Sequence, residues 1–159
     1  MPVIRVKLSE LDDFIRDLKE YKAKVEAAPS KIVAELAEIG RKEIEGNIGA
    51  ITDVDGNYLA GSGKEVNGNT AAAFMVGSQA SFLEFGTGIQ GQSSPHPDAN
   101  VHGWEYNTGA TIKNNQWRYY DPFLNKFVTT SGIPAQMPVF KAANEVRARV
   151  EEAVKEALK

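Results

Sequence analysis

Charge and glycine are shared unevenly along this chain, and that imbalance limits its architecture more than any single motif does. Residues 1–50 hold 9 Lys/Arg and 10 Asp/Glu, and residues 134–159 hold 5 and 4. The 83 residues between them hold only 4 and 7, together with 11 of the 14 glycines. Charged, glycine-poor segments suit helices, whereas a glycine-rich, aromatic centre suits strands and turns. The expected class is α+β: N-terminal helices and a long C-terminal helix packed on a small, mainly antiparallel β-sheet with a long loop and hairpin insertion. At 159 residues the chain has the length of one domain. It divides into 1–50 (N-terminal strand and helices), 51–133 (β region with a long loop 86–115 and a hairpin 116–130) and 134–159 (C-terminal helix).

Periodicity refines this division. Val3–Leu8 reads as a short strand, and Ser9 as the cap of a first helix with Asp12 and Asp13 near its positive end. Leu11, Phe14, Ile15, Leu18 and Val25 lie on one face of that helix. Pro29 predicts its end and Ser30 the cap of a second helix, which would turn Ile32, Val33, Leu36, Ile39, Ile44 and Ile48 inward. In the centre, Tyr58–Leu59, Thr70–Gly77 and Ser81–Phe85 read as strand pieces, and 116–120 with 126–130 as a hairpin about Asp121-Pro122. Pro138 suits the first position of the last helix, with Glu145–Arg149 and Glu151–Lys155 as i,i+4 pairs.

Composition removes several function classes. The net charge of −3 gives no basic excess to hold a nucleic-acid backbone, so sequence-specific nucleic-acid binding is not expected. The absence of cysteine excludes a disulfide scaffold, a thiolate metal site and a Cys nucleophile. The first ten residues carry Arg5 and Lys7 and no apolar run of signal-peptide length, and no stretch approaches a membrane span. A cytoplasmic origin without a membrane partner is the expectation.

Four patterns bear on chemistry, each with a plainer reading beside it. Gly86, Gly88 and Gly91 match G-x-G-x-x-G, but no βαβ context surrounds them and the residues after Gly91 are poor helix openers, so a glycine turn leaving a strand is preferred to a nucleotide site. His96 and His102, with Asp98 and Glu105, offer metal-ligand chemistry without a recognised spacing, and two solvated loop histidines are preferred. Asp53-Val-Asp55-Gly56-Asn57 lacks the geometry of a calcium loop and reads as a turn. Trp104, Tyr106, Trp117, Tyr119 and Tyr120 would serve a ligand platform or, in preference, a core or interface. No nucleophile elbow or tuned carboxylate pair is present, so neither a catalytic group nor a cofactor is expected. Glu84, within Phe82-Leu83-Glu84-Phe85, is the most informative charge: on a strand it either faces solvent or is buried and must be paired.

The ordered combination of three motifs resembles the small tail-completion, or head–tail joining, proteins of long-tailed bacteriophages, also described as minor capsid or tail-component proteins. The motifs are the turn Val54-Asp55-Gly56-Asn57-Tyr58-Leu59-Ala60-Gly61-Ser62, the segment Phe82-Leu83-Glu84-Phe85-Gly86-Thr87-Gly88, and Pro134-Ala135-Gln136-Met137-Pro138-Val139-Phe140 leading into the last helix. The turn lacks the family's threonine between Asp55 and Gly56, and Val139 separates Pro138 from Phe140. The resemblance implies a non-enzymatic α+β virion protein acting at the neck or tail end by forming a homo-oligomeric ring and docking on neighbouring phage neck and tail proteins. Asp55, Gly56, Leu59, Ser62, Glu84, Phe85, Gly86, Thr87 and Gly88 would form its assembly motif, with Pro134, Pro138 and Phe140 at the helix start. A monomeric carbohydrate- or ligand-binding module using Trp and Tyr residues is the second expectation, and a metal-dependent hydrolase using His96 and His102 ranks last.

Overall fold

A computed structural model describes residues 8–50, 60–106, 116–121 and 125–159. The chain is α+β. A 42-residue helix α1 (Leu8–Gly49) is followed by strands β1 (Gly61–Asn67) and β2 (Thr70–Val76), then by two short helices, α2 (Ala80–Phe85) and α3 (Gly88–Ser93). Strands β3 (Trp117–Asp121) and β4 (Lys126–Thr130) precede helix α4 (Pro138–Ala157). Each strand pair is an antiparallel two-stranded ladder. The β1–β2 register pairs Gly61 with Val76 and Asn67 with Thr70, and Gly68 takes the positive φ (+58°) that its two-residue turn requires.

The two expected N-terminal helices are one. Pro29 lies inside α1 and Ser30 is an interior residue rather than a cap. A proline within a helix removes one amide donor and crowds the carbonyl four residues back, at a cost of about 3 kcal/mol in an unsupported helix. Here Pro29 is exposed, and buried Ala28 and Ala37 anchor the helix on either side of it. Residues 3–7 of the expected Val3–Leu8 strand and the strand piece Tyr58–Leu59 lie outside the described residues, while Leu8 and Ser9 already belong to α1, so Ser9 is a helical residue and not its cap. The Thr70 strand and the 116–130 hairpin are present. β1 was not anticipated, because Gly61-Ser-Gly-Lys-Glu-Val-Asn67 has no apolar alternation to betray it.

α4 packs antiparallel along the C-terminal part of α1, the most extensive contact between elements. Asn47 on α1 donates its side-chain amide to the Pro138 carbonyl at one end (3.2 Å), and Lys24 reaches the Lys159 carbonyl at the other (3.2 Å). Ile44, Ala37, Ala142 and Ala153 are buried. β2 lies against α1, and at Gly40 three elements converge: a Cβ there would come 2.9 Å from Ala73 Cβ and 3.2 Å from Val146 Cγ2. The alanines that permit this approach also leave an apolar groove of about 370 Å³ between α1, β2 and α4. Of the expected pairs on α4, Glu151–Lys155 forms at 2.6 Å, while Arg149 turns to Glu152 instead of Glu145.

The hairpin is tied to α1 by charge. Lys64 on β1 meets Glu38 Oε2 at 2.8 Å, and the Arg41 guanidinium holds both Glu38 oxygens (2.8 and 3.1 Å) while reaching Glu45 at 2.6 Å. Hydrogen bonds from Arg41 and then Lys64 bring the Glu38 carboxyl from its ordinary 4.5 down to about 2. A depressed acid stabilises the fold above its unfolded value and loses that contribution as pH falls through its folded value. The tie is therefore complete above about pH 4.5 and is lost between 4.5 and about 2. Acid unfolding of Glu38→Gln, followed by circular dichroism, should show a shallower loss of stability across that window than the parent chain. Gly40→Val should destabilise the protein by about 1–3 kcal/mol through overpacking, measured by urea unfolding. An unchanged midpoint would mean that the three elements do not meet as described.

Candidate functional site

The residues from Phe82 to Gly88 are joined to the chain entering α4 by several hydrogen bonds. Ser81–Phe85, which reads as a strand piece in the sequence, lies in the helix α2 instead. The apolar residues Phe82, Leu83 and Phe85 fit a short helix as well as a short strand, and periodicity over so few residues does not separate the two. The helical geometry places Leu83 and Glu84 side by side in the interior and turns Phe82 outward.

Glu84, 7% exposed, is the centre of the site. Its Oε2 accepts the Val139 amide at 2.8 Å, and its Oε1 accepts the Phe140 amide at 2.9 Å. These are the amides of the second and third residues of α4, which have no acceptor within their own helix. The residue in the capping position, Met137, has no side-chain oxygen and sits in the left-handed region (φ +59°). Glu84 thus caps α4 from 54 residues before its first helical residue, and the positive end of the helix offsets the burial of a negative charge. The Leu83 carbonyl adds a backbone bond from the Gln136 amide at 2.9 Å.

His96 completes the arrangement. It is 4% exposed, so the expectation of two solvated histidines holds only for His102, which is exposed. Its Nδ1 accepts the Asp98 amide at 3.0 Å, which leaves the ring proton on Nε2, directed at Glu84 Oε1 at 3.0 Å. The bonding pattern assigns a neutral ring that donates to a carboxylate. Both carboxylate oxygens and both ring nitrogens are occupied. Three of the four acceptor sites of the carboxylate are used, two on Oε1 and one on Oε2. His102 lies against the Phe85 ring (centroids 5.5 Å apart) and does not converge with His96 on a common point. Among the described residues, no group of three or more His, Asp or Glu side chains is placed to hold a metal.

Phe85 anchors the loop. Trp104 stacks on it at 5.1 Å and donates its indole N–H to the Gly86 carbonyl at 3.1 Å, and His96 packs against it at 4.8 Å. The Tyr106 hydroxyl accepts the His96 amide at 3.1 Å. Trp104 and Tyr106 therefore pack the loop against the motif. Tyr120 is exposed and its hydroxyl pairs with Asn125. The side chains of Trp117 and Tyr119 lie outside the described residues.

The glycine turn has a steric purpose. At Gly86 (φ +77°) a Cβ would come within 2.6 Å of the Ala135 nitrogen and 2.9 Å of the Pro134 carbonyl carbon. Thr87 fastens this crossing on both sides: its amide donates to the Ile133 carbonyl at 2.8 Å, and its Oγ1 accepts the Ile133 amide at 3.2 Å. Gly88 opens α3, a helix inside the stretch expected to be loop. The three glycines thus sit in a helix–turn–helix with no preceding strand, which is not the dinucleotide arrangement.

Of the twelve residues singled out by motif, Glu84, Phe85, Gly86, Thr87 and Gly88 meet Pro134, Pro138 and Phe140 in one place; Phe140 also sets its ring edge-on to His96 at 5.1 Å. Ser62 stands apart on β1, and Asp55, Gly56 and Leu59 lie outside the described residues. Sequence reasoning missed His96 and Tyr106 as members of the site. A signal for such a cap was present, since a helix opening at Pro138 after a methionine needs an acceptor from elsewhere, and Glu84 needed a partner.

The apolar groove offers no alternative centre, because Arg147 is its only titratable lining residue. No helix among the described residues is long and apolar enough to cross a membrane. Comparison with protein-family models, with curated proteins and with solved structures gives no match.

Glu84→Ala should cost about 3 kcal/mol, since it leaves two helix amides and the His96 N–H without their acceptor in a buried place. Glu84→Gln, which keeps one acceptor oxygen, should cost about half as much. Urea unfolding gives the energies, and hydrogen exchange should show the Val139 and Phe140 amides losing protection first. Parent-like stability in Glu84→Ala would refute the capping role.

Proposed function

We propose that this chain is a non-enzymatic structural protein of a tailed bacteriophage or prophage. On this reading it is located in the virion, having assembled in the host cytoplasm. It acts at the head–tail joint or tail-completion position by forming a ring-like oligomer and docking on neighbouring neck and tail proteins. One observation carries the reading. Two motifs that suggested the resemblance, 46 residues apart between Gly88 and Pro134, are a single bonded unit in which Glu84 caps the helix that Pro138 opens. The described residues of these two motifs thus share a structural purpose. The polar groups that would be candidates for catalysis, Glu84 and His96, are consumed in holding the fold.

A protein of this kind acts through its surfaces. A ring forms when head-to-tail contacts repeat with a rotation that closes. The small-molecule alternative draws less from the geometry, because Trp104 is stacked on Phe85 and its indole N–H is already bonded.

The test is genetic and visual. Phage or induced prophage lacking this chain should accumulate DNA-filled heads and separate tails in electron micrographs, with infective titre falling by several orders of magnitude. Complementation with the parent chain should restore joined particles. Normal, infective particles in its absence would overturn the proposal.

A further inference from the structure

Every residue from Leu11 to Ala27 on α1 is exposed, and burial begins only at Ala28, close to where α4 ends. These 17 residues project as an arm of about 25 Å at 1.5 Å per residue. An isolated helix of this length is marginal in water and gains its stability from covering an apolar face. The arm has such a face. Leu11, Phe14, Leu18, Tyr21 and Val25 are each 43–60% exposed and follow one another at steps of three, four, three and four residues. That alternation is the seam of a two-stranded coiled coil, and Ile15, 41% exposed, flanks it on one side.

The charges state what covers it. Residues 11–17 hold Asp12, Asp13 and Asp17 against Arg16, a net −2, and residues 18–24 hold Lys19, Lys22 and Lys24 against Glu20, a net +2. A second arm laid antiparallel sets each acidic half on a basic half and also opposes the helix dipoles. In the register that seats Leu18 against Tyr21 of the second copy and Phe14 against its Val25, the flanking Asp17 comes beside Lys24 of that copy. The two-fold axis of this register passes between Lys19 and Glu20, at the middle of the exposed stretch. The competing bonds within one chain, Arg16–Asp13, Arg16–Asp17, Lys22–Glu26 and Lys24 to the Lys159 carbonyl, are all exposed and weak.

We infer that the arm is a self-association element, and that two copies of this chain pair through an antiparallel coiled coil of residues 11–27. The contact is two-fold and distinct from the head-to-tail contacts of a ring, so it stands or falls separately from the virion reading. Such a pair buries on the order of 1,000 Å², the lower limit for a specific interface, and its expected dissociation constant is micromolar.

Sedimentation velocity on the full chain should show a monomer–dimer equilibrium in that range. Leu18→Glu, at a position with no contact to the folded body, should leave the circular dichroism of the body intact and weaken the dimer at least about 100-fold. Asp17→Lys should also weaken it, and adding Lys24→Asp should restore it. Because the chain has no cysteine, orientation can be read directly. A mixture of Phe14→Cys and Val25→Cys chains should oxidise to the mixed disulfide, whereas neither should cross-link alone. A strict monomer up to about 1 mM, like-with-like cross-links, or failure of the double charge swap to restore the dimer would each overturn the inference.

Discussion

A buried carboxylate at the mouth of a helix organises this molecule. Helix α4 begins with a proline, is preceded by a methionine in a left-handed conformation, and has no side chain of its own to receive its first amides. Glu84 supplies both missing acceptors. A charge is tolerated in that interior only because three donors and the positive helix end surround it. The same carboxylate fixes the tautomer of His96, and His96 in turn fixes the loop that carries Trp104 and Tyr106. One side chain thus couples α2, the loop that follows α3 and the start of α4.

This explains why the motif contains what it does. Glutamate is long enough to span from α2 to two consecutive amides, and phenylalanine provides the surface on which the loop's aromatics stack. Glycine at 86 lets the Pro134–Ala135 backbone cross at a distance no Cβ would permit, and threonine at 87 bonds the crossing strand twice. One glutamate and one histidine in the interior thus join α2, the loop and α4 through four hydrogen bonds.

How far this was legible in the sequence depended on the range of the forces involved. Helix α4 was readable because Pro138 and its i,i+4 charge pairs are local signals, and strand β2 because its flanking turns are. The unity of α1 was not, since local propensity at Pro29-Ser30 argues for a break, and only tertiary anchoring at Ala28 and Ala37 overrides it. α2 reads as a strand because the five residues Ser81–Phe85 are too few to display a period. For the site, the importance of Glu84 followed from the cost of burying a carboxylate beside Leu83. Its partners did not, because a cap delivered from 54 residues away and a histidine recruited from a proline-flanked loop leave no periodic trace. β1 was hidden for a related reason: a ladder of backbone bonds needs no particular side chains.

Pro29 has a mechanical consequence. Its ring leaves the Val25 carbonyl without the amide that would normally close that turn, so the continuous rod has one rung missing next to the level at which α4 stops supporting it. A missing hydrogen bond lowers the bending stiffness of the rod at that point. The projecting end is thereby jointed like a forearm at an elbow, able to swing toward whatever it grips without disturbing the shoulder, where Gly40 and Ile44 are locked in place.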